Sequence, residues 1–394
     1  MIIRFLLIFS ILAATELRGQ GNTEIYLFDL KLDNGNPILT NPKNVSNNEG
    51  YDNQPSFWDD DTILFSSTRA DQTDVLKFNV NQGSTSTWVT NTPTGSEYSP
   101  LRIPGKNAIS SIRLDLDGLQ RLYEYDMSTG KSKPITDLKI GYHVWFNSHI
   151  LVSSVLVEDR MDLVVTNLKD NSNHTYQKNV GRSLHKIPGT NLIGYISKEN
   201  KKWEVKSIDP ISGATKKIAD TYQNEEDICW LDKNTIITGA GKSLFIFDTE
   251  SGIDWEFVMR FQQDEINNIS RIAINQSKTK LAFVSDESPE IIVQKQLEAY
   301  NARDVDAFMD TYAENIKLYN YPNQIFQDSK TKMRARYTSQ FENTPDLHCE
   351  IKNRIVIGNK VIDEEYVRMN GAYFSAVAIY EVENGKIAKV TFIE

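Results

Sequence analysis

Apolar and polar positions follow two different rhythms along this chain. From residue 25 to about 285, short apolar–aromatic runs end in Asp or Asn and lead through a polar turn into a second short run. They are Ile25–Asp29, Leu76–Asn79, Leu122–Asp126, Leu163–Asn167, Val205–Asp209 and Leu244–Asp248. The closing Asp and Asn residues lie 50, 47, 41, 42 and 39 positions apart. A repeat of about 40–50 residues carrying four short strands predicts a β-propeller. Complete repeats fall near 51–90, 97–137, 142–180, 184–219 and 225–260, whereas 269–285 offers only two strands. The missing pair lies at the N-terminus, at Ile25–Leu30 and Pro37–Leu39. Pairing the two ends predicts an all-β six-bladed ring with no open sheet edge at the seam.

Past Pro289 the rhythm becomes helical. Ile292, Gln296, Leu297 and Tyr300 share a spacing that predicts a helix over Ile291–Asn301. A second helix is expected over Val305–Tyr312, with Asp304 as its N-cap, then a short strand Ile316–Tyr319 and a third helix over Ser329–Glu342. Four strands follow: Leu347–Ile357, Lys360–Met369, Tyr373–Val382 and Lys386–Ile393. Asn370-Gly371 and Asn384-Gly385 are hairpin turns between them. The expected architecture is an α+β cone, three helices on a curved four-stranded antiparallel sheet. The domain reading is therefore a propeller over 22–286 and an α+β domain over 289–394.

The 394 residues suit two domains. The net charge of −10 argues against nucleic acid as a partner, because phosphate binding needs a positive surface. At the start, Arg4 precedes the apolar run Phe5–Ala14, and small Gly19 offers a cleavage position. This predicts a signal peptide over 1–19 and a periplasmic or secreted protein. The run is too short to span a bilayer, so no transmembrane segment is expected. Cys229 and Cys349 fall in different domains, which excludes a disulfide framework and suits two buried small hydrophobes.

Familiar chemistry is sparse. His143, His149, His174 and His185 are scattered without the spacing that puts ligands on one metal, so neither a metal nor a cofactor is expected. No Gly-x-Ser-x-Gly elbow occurs. Trp58, Trp88, Trp145, Trp203 and Trp230 recur near blade strands, where core packing is the expected role.

Two segments carry family resemblances. Asp52–Trp58 followed by Ile63–Arg69, with a weaker copy at Lys280–Asp286, resembles the TolB-like six-bladed propellers over about 22–286. That resemblance implies a surface for a protein or glycan partner, and function has to be read from the site rather than the fold. Gln296–Asp304, Asp306–Glu314, His348–Arg354 and Ala378–Ile387 resemble the SnoaL-like group of the nuclear-transport-factor-2-like superfamily over nearly all of 290–394. This group includes ketosteroid isomerases, limonene-epoxide hydrolases and polyketide cyclases. The resemblance implies a homodimer formed through the sheet and a cleft between helices and sheet for a small apolar ligand.

The family's catalytic positions are only partly filled. Tyr300 occupies the place of the isomerase oxyanion donor. The general base is replaced by Asn320 or Tyr321, and the second acid by Ala378. Neither Asn nor Tyr removes a proton next to a carbonyl near neutral pH. The epoxide-hydrolase set falls at Glu365, Val367 and Phe392 and is absent too. Alternation puts Val361, Asp363, Glu365 and Val367 on one face, and Phe374, Ala376, Ala378 and Tyr380 on a neighbouring one. The resemblance turns both inward, where Asn320, Tyr321, Phe374, Ala376, Ala378 and Tyr380 would contact ligand. Tyr300, Asp363 and Glu365 are the catalytic candidates, since burial raises a carboxyl pKa into the working range of an acid or base. The competing expectation pairs these carboxylates with Arg354, Arg368 or Lys352.

Three functions follow. The first is an exported binding protein. The second is an isomerase, cyclase or hydrolase acting on a small hydrophobic substrate. The third is a fusion whose small domain only dimerises the propeller.

Overall fold

The computed structural model describes residues 22–393 except 34, 49, 71, 82–84, 264 and 384. The predicted signal peptide lies outside the described residues, as does Asn384. The chain is mostly strand, with three helices among the described residues, all after residue 288.

Residues 52–88, 95–134, 140–177, 180–220 and 228–260 each form a four-stranded antiparallel sheet in chain order. A sixth four-stranded sheet joins Thr23–Asp33 and Asn36–Asn44 to Asn267–Ile274 and Lys280–Asp286. Its central pairing is long-range: Thr23 lies opposite Asp286 and Asp29 opposite Lys280, in unbroken antiparallel register. Lys280 also donates to the Asp29 carboxylate.

The repeat signature has a local cause. In the turns after five of the six signatures the closing Asp or Asn side chain accepts a backbone N–H two residues on, whereas Asp29 accepts from the Asn41 and Lys280 side chains. Asn79 accepts from Asn81 (3.0 Å), Asp126 from Ser128 (3.0 Å), Asn167 from Lys169 (3.1 Å), Asp209 from Ile211 (2.9 Å) and Asp248 from Glu250 (2.8 Å). Such Asx turns reverse the chain without help from a neighbouring strand. Between the turns, the second strand of each repeat is almost wholly buried, as at Ile63, Leu64 and Phe65. Among the tryptophans, Trp145 and Trp230 are buried, whereas Trp88 is 40% exposed under Arg69. Cys229 and Cys349 are free and buried.

The α+β part begins three residues after the last propeller strand. Ser288 caps α1 (Pro289–Ala302) by accepting from Glu290 N, and Pro289 occupies the first turn, where its missing N–H has no helical partner to lose. Asp304 caps α2 (Val305–Asp310) through Asp306 N and Ala307 N. Helix α2 is shorter than expected because Tyr312 opens a strand, Tyr312–Asn320. Helix α3 spans Lys330–Asn343.

The sheet has six strands rather than four, and one pairing is parallel. Its spatial order is Gln324–Gln327, Tyr312–Asn320, Lys386–Ile393, Ala372–Glu383, Lys360–Met369 and His348–Ile357. The extra pair comes from Tyr312–Asn320, which lies parallel to Lys386–Ile393 and turns back on itself through Gln324–Gln327. The Asn370-Gly371 turn has positive φ at both residues (52° and 79°), the geometry that Asn-Gly favours. Asp346 accepts from both turn amides at 2.8 Å. Asn301 ties α1 to the sheet, donating to Cys349 O (2.9 Å) and accepting from Cys349 N (2.7 Å).

The long-range pairing yields a stability test. Ile25 is fully buried in the closing strand, so Ile25→Ala should lower stability by about 2–5 kcal/mol. Denaturant unfolding would measure this, and a wild-type midpoint would refute the importance of that strand.

Candidate functional site

A cavity of about 330 Å³ lies between the helices and the concave face of the six-stranded sheet. Its walls come from α1 (Gln296, Leu297, Tyr300), α3 (Arg336, Tyr337, Gln340) and the sheet (Glu365, Val367, Ala376, Tyr380 and others). Register explains the space. Glu365 lies opposite Ala376 and Asp363 opposite Ala378. A small residue beside each carboxylate leaves room for what that carboxylate contacts.

The two carboxylates meet different surroundings. The strand His348–Ile357 carries a bulge between Ile351 and Asn353. A bulge adds one residue and switches the side chains beyond it to the other face. Arg354 therefore points inward, opposite Asp363, and makes two hydrogen bonds of 2.7 Å to its carboxylate. Gln294 and Glu290 accept from the same guanidinium at 2.9 and 3.4 Å. Asp363 is thus consumed by an ion pair and does not line the cavity.

Glu365 has no such cation. Tyr380 donates to its Oε1 at 2.8 Å, and among the described residues no second group donates to it. Burial is the main reason its pKa rises to about 7; the Asp363 charge adds to the rise, and the Tyr380 hydrogen bond and Arg354 oppose it. The same burial pushes the Tyr300, Tyr312 and Tyr380 hydroxyls upward, and the Glu365 charge adds to each shift. Tyr337 is pushed up to about 12, again chiefly by burial. The Cys349 thiol moves upward for the same reason, which makes it a poor nucleophile.

Tyr300 lines the cavity and accepts a long hydrogen bond from Gln340 Nε2 (3.4 Å). Its ring packs on Phe308 and Phe341. Glu365, Tyr300, Asn320, Phe374, Ala376 and Tyr380 therefore gather around one cavity. Three expected residues do not join them. Asp363 is held by Arg354, Ala378 is buried beneath the cavity lining, and Tyr321 is 65% exposed beside Pro322. Sequence reasoning missed Gln296, Tyr312, Arg336, Tyr337 and Gln340. The i, i+1, i+4 spacing of Arg336, Tyr337 and Gln340 along one face of α3 was a signal for the last three.

The propeller part holds a smaller cavity of about 100 Å³, lined by Tyr142, His143, Arg182, His185, Asp227 and Arg271 among others. Arg182 grips Asp227 through two contacts of 2.9 and 2.5 Å. Burial lowers His143 to about 3 and His185 to about 4, so both stay neutral near pH 7. Among the described residues no group of three or more His, Cys, Asp or Glu is placed to hold a metal. None of their helices is long and apolar enough to cross a membrane.

Residues 293–390 match the SnoaL-like domain family. Over 27% of this chain and 98% of its own, an uncharacterized cystatin-fold protein from Novosphingobium aromaticivorans is 27% identical, with a TM-score of 0.26. A putative TolB from Agrobacterium tumefaciens aligns over 68% of this chain and 99% of its own at 10% identity, with a TM-score of 0.52. TolB from Acinetobacter baumannii aligns over 64% and 66% at 13% identity, with a TM-score of 0.49. No curated protein matches the chain. The chain thus joins a TolB-like propeller fold to a SnoaL-like domain.

Two substitutions separate the carboxylates. Asp363→Ala removes the bidentate partner of Arg354, whose side chain is only 13% exposed, and leaves it Gln294 and the more distant Glu290, so it should cost about 3 kcal/mol in an unfolding experiment. Glu365 behaves oppositely with pH. The folded protein keeps its proton between the usual carboxyl value of 4.5 and about 7, where the unfolded chain has lost it. The stability this group contributes therefore falls as pH rises through that window. Glu365→Gln cannot ionise, so its stability relative to wild type should rise by about 3 kcal/mol from pH 4.5 to 8. A pH-independent difference would show that Glu365 titrates normally.

Proposed function

We propose that this is an exported two-domain binding protein. Its SnoaL-like domain takes a small apolar ligand, and its propeller docks a protein or glycan. The observation that carries the ligand-binding role is the 330 Å³ cavity with Glu365 and Tyr380 hydrogen-bonded at its wall. A cavity of this size, walled by aromatic side chains and several convergent polar groups, suits a small-molecule ligand. The domains are taken as 22–286 and 289–394. The ring is read as a six-bladed propeller, supported by six four-stranded sheets among the described residues and by the pairing of the chain's first and last propeller strands. Export to the periplasm or beyond rests on the charged and apolar start of the chain.

A second reading is favoured by one specific observation. A carboxylic acid raised to about 7 beside a tyrosine is equipped for acid–base chemistry near neutral pH. Glu365 would then shuttle a proton, with Tyr300 as a hydrogen-bond donor, in an isomerase, cyclase or hydrolase. Asp363 has no part in that scheme.

The reading also includes a homodimer through the outer face of the sheet. There, Ile355, Ile362 and Ile379 lie side by side across three strands, with Ile355 52% exposed. Val377 and Ile393 pair in the neighbouring row. An apolar stripe of this kind is normally covered.

Native mass spectrometry of the gently purified protein tests the first reading. A co-purified small molecule is the expected outcome, and Ala376→Trp should abolish its retention. An empty cavity that also fails to take up apolar probes would refute ligand binding. Ile379→Lys should convert a dimer to a monomer in light scattering; a monomeric wild type would remove the dimer from the proposal.

A further inference from the structure

The ligand-binding reading leaves one charged group of the cavity wall without a role. Arg336 lies on α3 beside Tyr337 and Gln340 and lines the cavity, while the residue as a whole is exposed. It therefore stands at the mouth. Two other cations of α3 are committed elsewhere: Lys330 contacts Glu314 at 2.7 Å and Arg334 contacts Asp306 at 2.5 Å. Among the described residues, no carboxylate oxygen lies within 4.0 Å of the Arg336 guanidinium. Instead it rests over the Phe326 ring, 5.2 Å from its centroid, and Phe326 also lines the cavity.

Stacking on a ring holds a guanidinium in place while leaving its edge donors free for a planar anion. The protein as a whole carries a charge of −10, so an unneutralised cation at a cavity mouth is a local reversal of the prevailing field. Such a reversal selects for ligand charge. The deep end is of a different kind, with Glu365, Tyr380 and Tyr300 offering hydrogen bonds rather than a fixed positive charge. The rest of the wall includes the rings of Phe326, Tyr337, Phe374 and Phe392.

Resting on the cleft reading above, we propose that the ligand is an amphiphilic carboxylate: a small apolar body between these rings, with its carboxylate on Arg336 at the mouth. The body supplies the burial, and the carboxylate fixes which end enters first. A hydrogen-bonding group at the far end of the body would meet Glu365.

The test uses two probes of nearly equal size, 1-naphthylacetate and its uncharged methyl ester, titrated calorimetrically into the full-length protein. The wild type should bind the acid more tightly than the ester, and Arg336→Gln should weaken the acid by about tenfold while leaving the ester within about twofold. Arg336→Lys should recover part of the acid's affinity. Raised salt should weaken the acid and spare the ester. Because Arg336 is exposed, its substitution does not threaten folding, and a melting curve confirms this. An acid-to-ester ratio unchanged by Arg336→Gln overturns the carboxylate proposal while the cleft reading stands, provided that Ala376→Trp, or the milder Ala376→Leu, abolishes binding of both. Failure of the wild type to bind either probe overturns both.

Discussion

The pairing of Thr23–Asp29 with Lys280–Asp286 is the constraint on which the rest depends. Without it one sheet would lack its two N-terminal strands and would present an open edge, the usual route to association with another chain. The same pairing fixes where the second domain starts. Glu287 N donates to Asn22 O at 3.0 Å, so the chain leaving the seam is held there. Ser288 and Pro289 then start α1 at once. The closing strand thereby serves both domains: it completes the ring and anchors the segment that enters the α+β part.

Within that part, the proposed function turns on how two carboxylates two residues apart on one strand are treated. Both point inward and both are nearly inaccessible to water. Arg354 holds Asp363 in an ion pair and also reaches Gln294, making a structural clamp between α1 and the sheet edge. Glu365 receives only a neutral hydroxyl, and its ordinary state near pH 7 is balanced between acid and base. Environment rather than residue type separates the two roles.

Much of the fold was legible because it is written locally. The Asx turns repeat with the strands they end, and alternation placed Val361, Asp363, Glu365 and Val367 on one face, which the family resemblance turned inward. What stayed illegible depends on partners distant in sequence. The bulge near Lys352 decides that Arg354 turns inward, and nothing in the run Glu350–Asn353 announces it. The parallel pairing of Tyr312–Asn320 with Lys386–Ile393 spans some seventy residues. Helix α3 was expected only as a helix, and Tyr337 and Gln340 on it line the cavity without having been expected there. Tyr321 was expected at the wall because the resemblance put the position of the family's general base at Asn320 or Tyr321. Its neighbour Asn320 does line the cavity, while Tyr321 itself turns to solvent.

Ala376 carries a further implication. It is the smallest side chain among the cavity-lining residues and sits on an interior strand of the sheet opposite Glu365. An alanine codon becomes a valine codon by a single base change. A descendant could therefore reshape the chamber in one mutational step, with the ring, the seam and the Arg354 clamp untouched. On the proposed ligand-binding reading, ligand choice is positioned to drift faster than architecture, and close relatives sharing every structural device described above would differ in what they hold.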